Sequence, residues 1–126
     1  MMMRLQTVAA VVTTFVLAAG MARAQGDPKR GEKIFEKCRA CHAIDGGANE
    51  VGPGLRGVFG RRAGERDDFR YSPALKRSGI IWTEGTLDTF IADSQATVPA
   101  NRMPYAGMPN AADRGDLIAY LQKASK

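Results

Sequence analysis

The chain is poor in the side chains that hold metals and knit disulfide frameworks. Its 126 residues include two cysteines, one histidine and one tryptophan. Two cysteines cannot build the multi-bridge scaffold of a small secreted domain. With the single histidine they fall one ligand short of a structural zinc site, which takes four. Long runs of lysine or arginine are missing too, Arg61-Arg62 being merely a pair, which argues against a nucleic-acid binder. No convincing alternating strand and no internal repeat can be found, so the expected fold class is all-α.

Apolar runs are confined to the N-terminus. MMMR supplies a short positive start, Leu5 to Gly20 is mostly small and apolar, and Ala22-Arg23-Ala24 has the small-x-small form of a signal peptidase site. The apolar core from Val8 to Gly20 falls short of the about 20 residues a membrane span needs. Residues 1–24 are therefore expected to be a cleaved secretory signal peptide, and 25–126 one domain of 102 residues. The leader takes Arg4 and Arg23 with it and lowers the formal net charge from +5 to +3. It also takes four of six methionines, leaving Met103 and Met108. The remaining mild basicity fits an acidic docking partner. Export implies an oxidising compartment, the periplasm of a bacterium, where a disulfide is the default reading of two cysteines. A Cys-x-x-Cys bridge closes only a tiny loop, however, and stabilises little.

What is present reads as helices. Asp27-Pro28 suits a helix start, with Glu32 nearby and Ile34, Phe35 and Cys38 sharing one face. Ser72 to Gly79 reads as a short helix with a cap, a proline start and a glycine stop. Thr83 can cap a third, carrying Leu87, Phe90 and Ile91. A fourth runs from about Asn110 to Lys123 with Leu117, Ile118, Tyr120 and Leu121 as its apolar stripe. Between Ala43 and Tyr71 stand seven glycines (Gly46, Gly47, Gly52, Gly54, Gly57, Gly60, Gly64) and few large apolar residues. A long structureless loop is unusual in a compact domain. A loop wrapped around a bulky non-protein group resolves this, glycine allowing close backbone approach.

Cys38-Arg39-Ala40-Cys41-His42 names the group. Cys-x-x-Cys-His is the attachment motif of a c-type haem. Residues i and i+3 of a helical turn share a side, so both sulfurs can form thioethers to neighbouring vinyl groups while His42 reaches the iron. A thioredoxin-like pair needs a βαβ context that is absent, a plain disulfide leaves His42 and the glycine loop unexplained, and adjacent residues on one helix rarely face each other as a catalytic pair. With no second histidine, the other axial donor is Met103 or Met108, and spacing ranks the two only weakly.

GEKIFEKCRACH, GPGLRGVFGR, GIIWTEGTL, RMPYAGM and RGDLIAYL, in that order, resemble class I cytochrome c in its short, mitochondrial-like bacterial form, the c-two type. The resemblance covers Gly26 to Lys126. It implies about four helices and long loops around one haem attached through Cys38 and Cys41, with His42 and Met103 on the iron. In RMPYAGM it is Met103 that is followed four residues later by glycine, and Met108 falls where an apolar side chain is usual. It further implies a Pro53 carbonyl on the other His42 nitrogen. Arg61, Tyr71 and Trp82 would hold a buried propionate, and Gly31 and Phe35 would meet Leu117 and Tyr120 at a helix crossing. Phe90, Asn101 and Leu75 depart from residues common in relatives and bear on haem tuning. Lys37, Arg39 and Arg102 are basic around the expected haem edge, while Gln95 and Ala96 replace frequent lysines.

The function expected is a soluble periplasmic one-electron carrier, monomeric and not an enzyme, between a donor such as a cytochrome bc complex and an oxidase or photosynthetic reaction centre. Its partners would be redox proteins with acidic surfaces, with no nucleic acid and no stable membrane insertion after leader cleavage. One alternative is the dedicated electron acceptor of a single periplasmic dehydrogenase. An open-site haem enzyme or gas-binding cytochrome is disfavoured, because CRACH follows the first helix and no distal histidine or acid–base pair exists.

Overall fold

The computed structural model describes residues 26–47 and 51–126. The leader expected over 1–24 lies outside them. Five helices follow in order: α1 (Pro28–Arg39), α2 (Pro73–Arg77), α3 (Glu84–Ala92), α4 (Ser94–Thr97) and α5 (Ala111–Ala124). Among the described residues the only β pairing is a single antiparallel bridge, Arg62 to Ile81. None of the described helices is long and apolar enough to cross a membrane.

Helix boundaries follow from their capping chemistry. The Asp27 carboxylate accepts the Lys29 N–H at 2.9 Å, with Pro28 at the first helical position. Ser72 caps α2 through the Leu75 N–H at 3.1 Å, and Thr83 and Thr86 cap each other's main chain at the start of α3. Asn110 accepts the Asp113 N–H at 3.0 Å to open α5.

The frame is the crossing of α1 and α5. Gly31 is buried, and a Cβ there would lie 2.6 Å from the Asp116 carbonyl carbon and 2.8 Å from Tyr120 Cβ. Only glycine lets the two helices come this close. Phe35 and Tyr120 meet beside it, ring centroids 5.4 Å apart. Phe35 and Leu117 are almost fully buried, a gain of about 2–3 kcal/mol each. The Asp116 carboxylate ties the crossing, accepting the Asp27 N–H at 2.7 Å and the Arg30 Nε at 2.8 Å. α3 packs on α5, so three helices and the loops between them surround one space.

The four helices expected from the sequence are all present, and the short turn Ser94–Thr97 is added to them. Asp93 caps it through the Ala96 N–H at 3.0 Å. Four residues carry no apolar period, so only this cap marks it.

Candidate functional site

That space is a cavity of about 330 Å³. Its walls are mostly apolar: Phe35 of α1, Leu55 and Val58 of the glycine-rich loop, Leu75 of α2, Leu87, Phe90 and Ile91 of α3, and Leu117 and Leu121 of α5. No aspartate or glutamate stands among the described residues lining it.

Cys38, Cys41 and His42 enter from one side. α1 ends at Arg39, between the two cysteines, but its last turn persists: the His42 N–H donates to the Cys38 carbonyl at 2.9 Å. This turn keeps both sulfurs and the imidazole on the cavity wall. Both cysteines are free thiols, so the structure shows no disulfide. His42 Nδ1 lies 2.7 Å from the Pro53 carbonyl oxygen. A carbonyl only accepts, so Nδ1 carries the proton and Nε2 keeps its lone pair. Burial holds the His42 imidazole below its ordinary value, opposed by the Pro53 bond and aided by nearby Arg61. The ring is neutral at pH 7, the form that binds a metal.

The backbone is shaped to this ring. A Cβ at Gly52 would lie 2.8 Å from His42 Cε1 and 2.6 Å from the Cys41 carbonyl oxygen. The close approach expected of the glycine loop is therefore made partly to the protein's own histidine. Gly54 packs likewise on the main chain at Gly46 and Gly47, and Gly57, Gly60 and Gly64 serve turns of positive φ.

Met103 lines the cavity, in the segment between α4 and α5. Met108 does not; it is buried in the core, its N–H bonded to the Ile91 carbonyl at 3.0 Å. Arg61, Tyr71 and Trp82 also share the cavity wall. Arg61 and Trp82, distant in sequence, are brought together by a short ladder. The Trp82 N–H donates to the Arg61 carbonyl at 2.9 Å, the Gly60 N–H to the Trp82 carbonyl at 2.7 Å, and the Ala63 N–H to the Ile80 carbonyl at 2.8 Å. The Arg61 guanidinium donates to the carbonyls of Arg56 and Gly54, each at 2.9 Å. Burial lowers its pKa, yet it stays charged. Burial raises the Tyr71 pKa, so its hydroxyl remains a donor at neutral pH. Trp82 packs edge-on against Phe90 at 5.1 Å, where a tyrosine hydroxyl is absent.

The basic rim differs from the expected one. Lys37 and Arg102 line the cavity, but Arg39 does not: its guanidinium lies 5.3 Å over the Phe35 ring and bonds Glu36 at 3.2 Å. Arg70 joins the rim instead, as does Tyr105. Neither carries a local sequence signal, since each is a lone side chain in an irregular segment.

Two thiols, an oriented imidazole and a thioether around one apolar cavity, inside an all-helical frame, fit a covalently held haem, and this defines the class as a c-type haem protein. The family model described as Cytochrome c matches residues 28–125, and the chain belongs to that family. It is similar to cytochrome c2 of Rhodoblastus acidophilus, 48% identical over 99 residues, which cover 78% of this chain and 92% of the relative. Cytochrome c2 of Rhodomicrobium vannielii is 41% identical over 113 residues, 89% of this chain and 90% of the relative. Cytochrome c2 of Blastochloris viridis is 45% identical over 111 residues, 86% and 87%. The chain is thus a c2-like class I cytochrome of electron transport, and its haem is one c-type group on Cys38 and Cys41.

Proposed function

We propose that this cytochrome is a soluble one-electron shuttle of the bacterial periplasm, with His42 and Met103 as the two axial ligands and no catalytic residue. The observation that carries the reading is an apolar cavity whose wall includes one imidazole and one thioether, with Met108 turned into the core. Bound haem supplies a ferric/ferrous couple that takes up and releases one electron.

The chain's own residues do the rest. Cys38 and Cys41 hold the macrocycle by thioethers. His42 offers Nε2 to the iron, and the Pro53 carbonyl fixes its ring and raises its basicity. Met103, on the cavity wall, would supply the iron with a second ligand and so leave no place for a substrate. The apolar wall would disfavour the extra charge of the ferric form. Arg61, Tyr71 and Trp82 would hold a propionate, as one charged and two neutral donors for a carboxylate that would be costly to bury alone. Lys37, Arg70 and Arg102 at the rim draw an acidic partner into a brief contact that weakens with salt.

Carbon monoxide tests the closed iron. The reduced native protein is expected to bind it poorly on mixing. Rapid stoichiometric binding contradicts the shuttle reading and supports an open-site haem protein.

A further inference from the structure

Met103 stands on no regular element, since residues 101–110 belong to neither helix nor strand. Its main chain is nevertheless held: the Met103 carbonyl accepts the Tyr105 N–H at 2.9 Å, and a carboxamide takes its N–H. Asn101 Oδ1 accepts the Met103 N–H at 2.8 Å. Asn101 Nδ2 donates to the Ser94 carbonyl at 2.8 Å and to the Val98 carbonyl at 2.9 Å. The main chain of Asn101 is fastened as well, its N–H to the Val98 carbonyl at 3.2 Å and its carbonyl to Gln95 Nε2 at 3.0 Å. The residue is buried, so water does not compete for these bonds.

The chain of support can be followed to the cavity wall. α4 packs on α3, with Thr97 Oγ1 2.7 Å from the Asp93 carbonyl and 3.2 Å from the Thr89 carbonyl of α3. α3 itself presents Leu87, Phe90 and Ile91 to the cavity. Asn101 therefore links Met103 through α4 to the helix that forms one wall of the site. A planar side chain with two donors and an acceptor can grip α4 and Met103 together; alanine leaves the Met103 N–H without its acceptor, and a hydroxyl has one donor where the amide has two.

We infer that Asn101 is the positioning residue for Met103: by fixing the Met103 main chain it sets how firmly the thioether side of the site stays shut against small external ligands. The inference rests on Met103 as the axial ligand, and its test separates the two claims. Imidazole, added to the ferric holoprotein, competes with the thioether and reports how often it lets go. Asn101→Ala is expected to weaken the ferric Met–iron charge-transfer absorption and to speed imidazole binding about tenfold, through loss of the Met103 N–H acceptor. The double variant with Met103→Ala should bind imidazole no faster than Met103→Ala alone, because Asn101 acts only through Met103. Ile118→Val, a core truncation away from the cavity, controls for lost stability and should leave the imidazole rate unchanged. An Asn101→Ala rate equal to that of the wild type or of the Ile118→Val variant overturns the inference. Survival of the charge-transfer band in Met103→Ala overturns the ligand reading instead. If Asn101→Ala gives no holoprotein, hydrogen exchange in the wild type decides: the Met103 amide should be protected, and exchange as fast as an exposed loop amide contradicts the proposal.

Discussion

Ala100 adopts a φ of 67°, although it is not a glycine and its side chain faces solvent. The left-handed conformation turns the chain so that Asn101 comes back onto α4, at a cost to an alanine of about 1 kcal/mol or more. Ala100→Gly is expected to raise Tm by about 4 °C, the relief of strain exceeding the added entropy of the unfolded chain. Thermal melts followed by far-UV circular dichroism check this, and a fall in Tm contradicts it. Single residues differ in how far their roles can be read from sequence. Cys38, Cys41 and His42 are legible because attachment needs those types at that spacing. Met103 and Met108 are chemically alike, and only the fold turns one to the cavity and the other into the core. Asn101 stood out as a departure from relatives, but its grip on Met103 depends on α4, which sequence did not reveal. Arg70 and Tyr105 were silent because lone side chains outside helices leave no periodic trace.

At the scale of elements, the α1–α5 crossing organises the domain, and Asp116 is its polar tie. The Arg30 guanidinium and the Asp27 N–H hold the Asp116 carboxyl below its ordinary 3.8. A carboxyl depressed by folding adds stability above its ordinary value, and that contribution disappears as pH falls through the lower folded-state value. Asp116→Asn is therefore expected to lower Tm at neutral pH, with the gap to the wild type narrowing once pH falls below 3.8. Melts across an acid series check the sign; a gap that holds steady into strong acid contradicts it. Four helix starts were legible because Asp27, Ser72, Thr83 and Asn110 each supply a side-chain acceptor at a break in the apolar pattern. The Arg62–Ile81 bridge was not, since two residues paired across a long separation leave no periodic trace. That short ladder nonetheless sets Arg61 beside Trp82.

At the scale of the molecule, the described helices and loops surround the cavity that Cys38, Cys41 and His42 line, and this explains the glycine-rich stretch. Few side chains from it are needed for a core, because the cofactor completes the core. Gly52 shows that the same stretch also cradles His42, a role invisible until the loop is folded back. Charge is arranged on the same plan: the described lining contains Lys37, Arg61, Arg70 and Arg102 and no carboxylate, so the field at the cavity is positive although the net charge is small. His42 and Met103, both on the cavity wall, are the proposed pair of iron ligands. The most direct test is the ferric Met–iron charge-transfer absorption of two holoprotein variants, Met103→Ala and Met108→Ala. The band should vanish in the first and persist in the second; persistence in Met103→Ala with loss in Met108→Ala would contradict the account.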